Sequence, residues 1–232
     1  MKGAYESFPL GLRLSHLALL RNLDQFSRLA PAHTELVVNR DDGPQDLSRE
    51  RAGEYIAWYI DFLDVHHHGE DHHIFPALRK HSAGRTTDIA HLDTWKREHE
   101  SIYRLSEALR NSSRRLGSGA SEALADVQRT AAELKLELTP HLEAEEAVLT
   151  PEHLREMIPE SELAHAQLAI PRSQGAGALR MAQFFVHSLE PAEQRELLGE
   201  TPWFFRKFVL GALGARSARR FGGLMPVREV YV

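Results

Sequence analysis

Two short segments carry the same pairing of an imidazole with a carboxylate. His66-His67-His68-Gly69-Glu70 leads to Phe75-Pro76, and His141-Leu142-Glu143-Ala144-Glu145 leads to Thr150-Pro151. In each, a histidine stands four residues before a glutamate, and a proline follows six residues after that glutamate. Four residues is just over one helical turn, so each pair projects from one helix face about 6 Å apart along the axis. Side chains so placed can reach one metal ion or two neighbouring ions. A chain with 14 histidines could hold one such pair by chance. Two pairs sharing the same downstream proline point to a built feature.

Helical periodicity dominates the segments that must position these residues, and no stretch alternates as a strand. A first helix is expected from about Leu10 to Ala30, stopping at Pro31. After a polar connection containing Asp41-Asp42-Gly43-Pro44, Ser48 can cap a second helix reaching about Lys80, with Pro76 ending or kinking it. The third is expected from about Thr87 to Arg115. The break at Gly117–Ser121 precedes a fourth reaching about Leu149, in which Pro140 predicts a kink. Together these give an all-α, up-down-up-down four-helix bundle over residues 1–151. Residues 152–232 then form a helical extension packed on the bundle, with pieces near 160–169, 176–189, 191–198 and 202–220.

Each long helix has an apolar stripe stepping by three and four, and polar groups interrupt it at only a few places. His16 interrupts the first stripe, His66 and Glu70 the second, His99 the third, and His141 and Glu145 the fourth. Burying six such groups without partners would cost several kcal/mol apiece, of the order of a domain's whole stability. Counted along an antiparallel bundle, all six fall within roughly 15 Å of one level. A shared cationic centre is the partner they need.

Composition narrows the chemistry. There are no cysteines, which excludes disulfides, thiolate zinc sites and cysteine-ligated iron–sulfur clusters. A net charge of −5 argues against a nucleic-acid partner. No apolar run is long enough to span a bilayer and the N-terminus lacks a secretory pattern, so a cytoplasmic location is expected. Nitrogen and oxygen must hold any metal. Four imidazoles and two carboxylates suit iron or manganese better than calcium or magnesium. Two ions fit the count, with an oxo or hydroxo group completing a carboxylate bridge.

The order of a single-His helix, a His-xxx-Glu helix with Phe-Pro, a second single-His helix and a second His-xxx-Glu helix resembles the hemerythrin-like, or HHE cation-binding, domain family over about residues 10–151. The resemblance implies a non-haem di-iron centre, with His16 and His141 on one iron, His66 and His99 on the other, and Glu70 and Glu145 bridging. It is closer to the four-His, two-Glu bacterial members, some of which handle nitric oxide, peroxide or iron-centre repair, than to the five-His oxygen carriers. The expected function is a di-iron protein that binds or reacts with O2, peroxide or nitric oxide, with oxidoreductase activity as one form of it. The alternative is an O2, redox or iron sensor without turnover, its C-terminal extension contacting a partner.

Other residues are placed around this centre. His67, His68 and His72 are expected off the inward stripe, and His73 is the one expected to approach the centre and donate to a ligand or water. Tyr59 and Trp95 share the inward face, as core or as walls of a ligand pocket. The remaining histidines are expected to be surface or packing residues. The aromatic, basic stretch Pro202–Phe221 is expected to latch onto the bundle, membrane-surface contact being the lesser reading.

Overall fold

The apolar steps of three and four become four long helices. The computed structural model describes residues 3–29, 47–82, 85–118 and 122–199, and every regular element among them is helical. The bundle comprises α1 (Ala4–Ser27), α2 (Leu47–Gly69) continuing through a π-helical turn (Glu70–Ile74) into α3 (Phe75–His81), α4 (Thr86–Gly117) and α5 (Ala123–Val148). Cross-helix partners run in opposite directions along every neighbouring pair. Asp24 meets Lys135 while His16 meets Glu146, and Arg110 meets Asp64 while Arg79 meets Asp93. Arg115 meets Asp126 while His141 meets Glu98, and Asn22 meets Tyr55 while His16 lies against His66. The topology is therefore up-down-up-down. Where α2 crosses α4, a Cβ on Gly53 would lie 2.6 Å from the Ser113 carbonyl, so glycine there sets how closely the two backbones approach.

Several boundaries differ from those expected. α1 starts at Ala4 and carries Pro9 inside it. The Ala4 N–H donates to the Glu160 carboxylate at 2.8 Å, and Ala4, Phe8 and Leu12 are buried together, so tertiary packing outweighs the proline. The second helix changes character before Pro76. It widens at Glu70–Ile74, and Pro76 then sits in the first turn of α3, where its missing N–H is not needed. α5 runs on as helix through Pro140. A short α6 (Pro151–Met157) was not foreseen. Pro151 opens it and the Thr150 hydroxyl accepts from the His153 N–H at 3.2 Å. α7 (Glu160–Ser173), a 3-10 turn (Gly175–Gly177), α8 (Ala178–His187) and α9 (Pro191–Leu198) follow near the expected places. The connection at 41–44, the piece at 202–220 and the Pro202–Phe221 stretch lie outside the described residues. Among the described residues no helix is long and apolar enough to cross a membrane.

The core is divided. One apolar cluster holds Leu19, Leu23, Phe26, Tyr59, Leu63, Ile102 and Leu138; the other holds Leu12, Ile74, Phe75, Trp95 and Leu149. Along every long helix the polar interruptions fall between the two: His16 between Leu12 and Leu19, Glu70 between Leu63 and Ile74, His99 between Trp95 and Ile102, and Glu145 between Leu138 and Leu149. The polar groups thus form a layer closed above and below by hydrocarbon. The later helices lie against the bundle. Phe184 of α8 packs on Tyr55, Tyr59 and Phe62, and Ile170 of α7 sits where a Cβ on Gly69 would be.

Candidate metal centre

All six residues expected to interrupt the stripes lie in this layer. His16, Glu70, His99, His141 and Glu145 are buried, and His66 is nearly so. The carboxylates span it. Glu70 places Oε1 3.4 Å from His66 Nε2 and Oε2 3.6 Å from His99 Nε2. Glu145 places Oε2 3.5 Å from His16 Nε2, and Oε1 3.4 Å from His141 Nε2 and 3.8 Å from His99 Nε2. These separations are not hydrogen bonds, because both oxygens of each glutamate, and the Nε2 atoms of His16 and His66, are buried without a hydrogen-bond partner.

His67 is the correction to the sequence reading. It was placed off the inward stripe, yet it is buried, its ring stacked on His99 at 4.1 Å and edge-on to His141 at 5.5 Å. Atoms able to bind a metal fall into two groups, each within 4.8 Å: His67, His99 and His141 in one, and His16, His66, Glu70 and Glu145 in the other. The layer therefore holds five histidines, and their grouping in space differs from the implied one. His66 pairs with His16, at 5.1 Å between ring centroids, and His141 with His99, because α1 faces α2 at this level and α4 faces α5. The signal for His67 was present: Ile60, Leu63, His67 and Glu70 also step by three and four, and a stripe wide enough to bury a helix holds both registers. His68 and His72 are exposed, as expected. His73 is half-buried, with Nε2 unpartnered, and belongs to neither group.

Sequence reasoning also missed three outer carboxylates. His16 Nδ1 donates to Glu146 at 2.7 Å, His99 Nδ1 to Asp71 at 3.1 Å, and His141 Nδ1 to Glu98 at 2.9 Å. Each outer acid is next in sequence to a residue of the inner layer and serves a histidine on another element: Glu146 follows Glu145, Asp71 follows Glu70, and Glu98 precedes His99. An ionised carboxylate only accepts, so each Nδ1 carries the proton and each Nε2 presents a bare lone pair. His99 Nε2 and His141 Nε2 then face one another at 3.0 Å, lone pair to lone pair. Two nitrogens about 2.1 Å from one ion, at right angles, are about 3.0 Å apart, so a shared cation fits between them and would remove the repulsion.

Protonation agrees with that fit. Burial pushes the His66 and His67 imidazoles well below their ordinary range, His141 down to about 3, and His16 down against the pull of Glu146. Burial also pushes the Glu70 and Glu145 carboxyls well up, with Glu70's own charge adding to the effect at Glu145. Neutral imidazole is the ligating form, while the two carboxyls would give up protons to a metal.

The aromatic walls divide in the same way as the core. Phe75 lies parallel to the His99 ring at 5.7 Å, and Trp95 stands behind Phe75 at the same distance. Tyr59 sits two turns before His66, edge-on to Phe26 and Phe184, with its hydroxyl buried and unpartnered. A cleft of about 430 Å3 between α2 and α4 reaches His67 and His99, and neither Tyr59 nor Trp95 lines it. Both are core.

Compared with known families, residues 90–173 match the model described as Hemerythrin HHE cation binding domain. The matched part contains His99, His141 and Glu145 with their helices, and it ends in α7. No curated protein and no solved structure matched the chain.

Proposed function

We propose that this hemerythrin-like chain holds two iron ions side by side in its polar layer and uses them to bind or react with a small oxidant such as O2, peroxide or nitric oxide. One observation supports this most directly: each of two buried carboxylates turns one oxygen toward each histidine group, and all four oxygens lack any other partner. His16 and His66 would hold one ion and His67, His99 and His141 the other, with Glu70 and Glu145 shared. Manganese suits the same donors, and the expected chemistry would distinguish it from iron only by redox response. When bound, paired iron supplies reversible one- and two-electron exchange with a diatomic or peroxide ligand.

The chain's own contribution is placement and exclusion. Glu146, Asp71 and Glu98 fix three imidazoles in the tautomer that points Nε2 inward. The apolar clusters on either side keep bulk water from the layer, which strengthens each charge interaction within it. With both carboxylates shared, the ion held by His16 and His66 would have one imidazole fewer than its neighbour, so a small molecule would bind on the His16–His66 side.

Anaerobic reconstitution of the purified chain with Fe(II) tests this. About two irons per chain are expected, followed by a new visible absorption band on adding O2, peroxide or nitric oxide. A band that reverses on removing the ligand favours binding or sensing, and irreversible product favours turnover. Well under one iron per chain with no band refutes the reading.

A further inference from the structure

We propose that the mouth of the α2–α4 cleft is a docking site for a divalent cation entering the buried centre, with His68 and His72 as its first ligands. The inference rests on the reading of the centre as a metal site. A desolvated ion cannot cross hydrocarbon, so it needs a polar route in which protein atoms replace its waters stepwise. The apolar clusters close the layer above and below, and Ile170 covers it at Gly69. Among the described residues, a cavity of about 350 Å3 on the α1–α5 side reaches Glu146 but none of the seven inner residues. The α2–α4 cleft reaches two of them, His67 and His99.

Donor atoms line that path in order. His68 and His72 are exposed at the mouth with their rings stacked 3.9 Å apart. His72 Nδ1 donates to the His68 carbonyl at 3.1 Å, which fixes the tautomer and leaves Nε2 as a lone pair available to an ion. Asp71 lies further in, half-buried and lining the same cleft. On the floor, His67 is 8% exposed and its Nε2 has no hydrogen-bond partner. The ion would pass from the His68–His72 pair to Asp71 and then to His67 and His99, exchanging ligands with no change of oxidation state. Exposed Lys96 lines the same cleft and opposes the approach of a cation.

The test follows Co(II) uptake by the chelator-stripped full chain in a stopped-flow absorbance experiment. His68→Ala/His72→Ala, whose side chains are exposed, should fold as the parent does by circular dichroism. Uptake in this variant should slow about tenfold, with the final number of Co(II) ions and the final spectrum unchanged. Lys96→Glu should speed uptake, most at low salt. An unchanged rate in the double variant overturns the proposal. So does a lower final Co(II) count, because the pair would then be ligands of the centre itself. If the parent chain binds no Co(II) and no iron, the metal reading of the centre falls instead.

Discussion

Glu145→Gln should raise the stability of the metal-free protein while abolishing its stabilisation by metal. Glu145 is fully buried, with one oxygen 3.5 Å from His16 Nε2 and the other 3.4 Å from His141 Nε2. Its carboxyl is pushed well up by burial, so without a cation it is a cost at neutral pH. The amide has nearly the same volume and does not titrate. Its N–H2 can donate to one of the bare Nε2 lone pairs, a hydrogen bond worth about 1 kcal/mol net. For a chain of this size that raises the melting temperature by roughly 2–4 °C. The metal-bound state moves the other way. At free metal one hundred times Kd, a site binding only the folded chain adds about 2.7 kcal/mol, or roughly 5–11 °C. An amide nitrogen is no ligand, and the substitution takes a charge from both ions at once, so the variant should lose nearly all of that shift. Scanning calorimetry on stripped and iron-loaded samples, with iron counted in each, measures both. Full iron and a full thermal shift in Glu145→Gln would refute the shared-carboxylate reasoning, as would a stripped variant melting well below the parent.

His67→Ala should lower the iron content toward half, read by metal analysis, whereas full content with an unchanged spectrum would remove His67 from the centre. Asp71→Asn, Glu98→Gln and Glu146→Gln should each weaken metal binding about 10–100-fold in a chelator competition, with little change in the melting of the stripped protein. In the stripped protein His141 falls to about 3 against an ordinary 6.5. The unfolded chain therefore takes up a proton that the folded chain refuses, and this contribution is fully present above pH 6.5 and lost as pH falls toward 3. The raised carboxyls of Glu70 and Glu145 act in the opposite sense, their cost growing as pH rises above 4.5. Urea midpoints from pH 7 to 4 should therefore fall less in His141→Gln than in the parent.

The bundle and the six stripe residues were legible because burial writes itself into spacing. A histidine or glutamate that breaks an apolar ladder is conspicuous, and four ladders broken at one level define a layer. His67 was harder because a buried face is about a third of a helix wide, and the ladders through Tyr59–Leu63–His66 and Ile60–Leu63–His67 both fit within it. Which histidines share an ion depends on which helices are neighbours, and no single helix carries that information. The outer acids were hidden for the same reason: Glu98, Asp71 and Glu146 look like ordinary helix-surface charges until another helix brings an imidazole to each. α6 escaped because seven residues hold too little periodicity to stand out from the loop before α7.

The π-helical turn at Glu70–Ile74 has a consequence for how such a chain can change over generations. A wide turn fits one more residue into the circuit than an α-helix does, so it offsets the rotational phase of everything after it. His66 and His67 before the turn and Phe75 and Leu78 after it all reach the interior only because of that offset. Losing a single codon between 71 and 73 would let the turn close to an ordinary α-helical one with α3 keeping its phase against α2, so the histidines and Leu78 would all stay inside, whereas the same loss elsewhere in the helix would swing one part by about 100° against the other. Related chains are then best aligned inward from both ends of this helix, with the length difference allowed to fall at the turn.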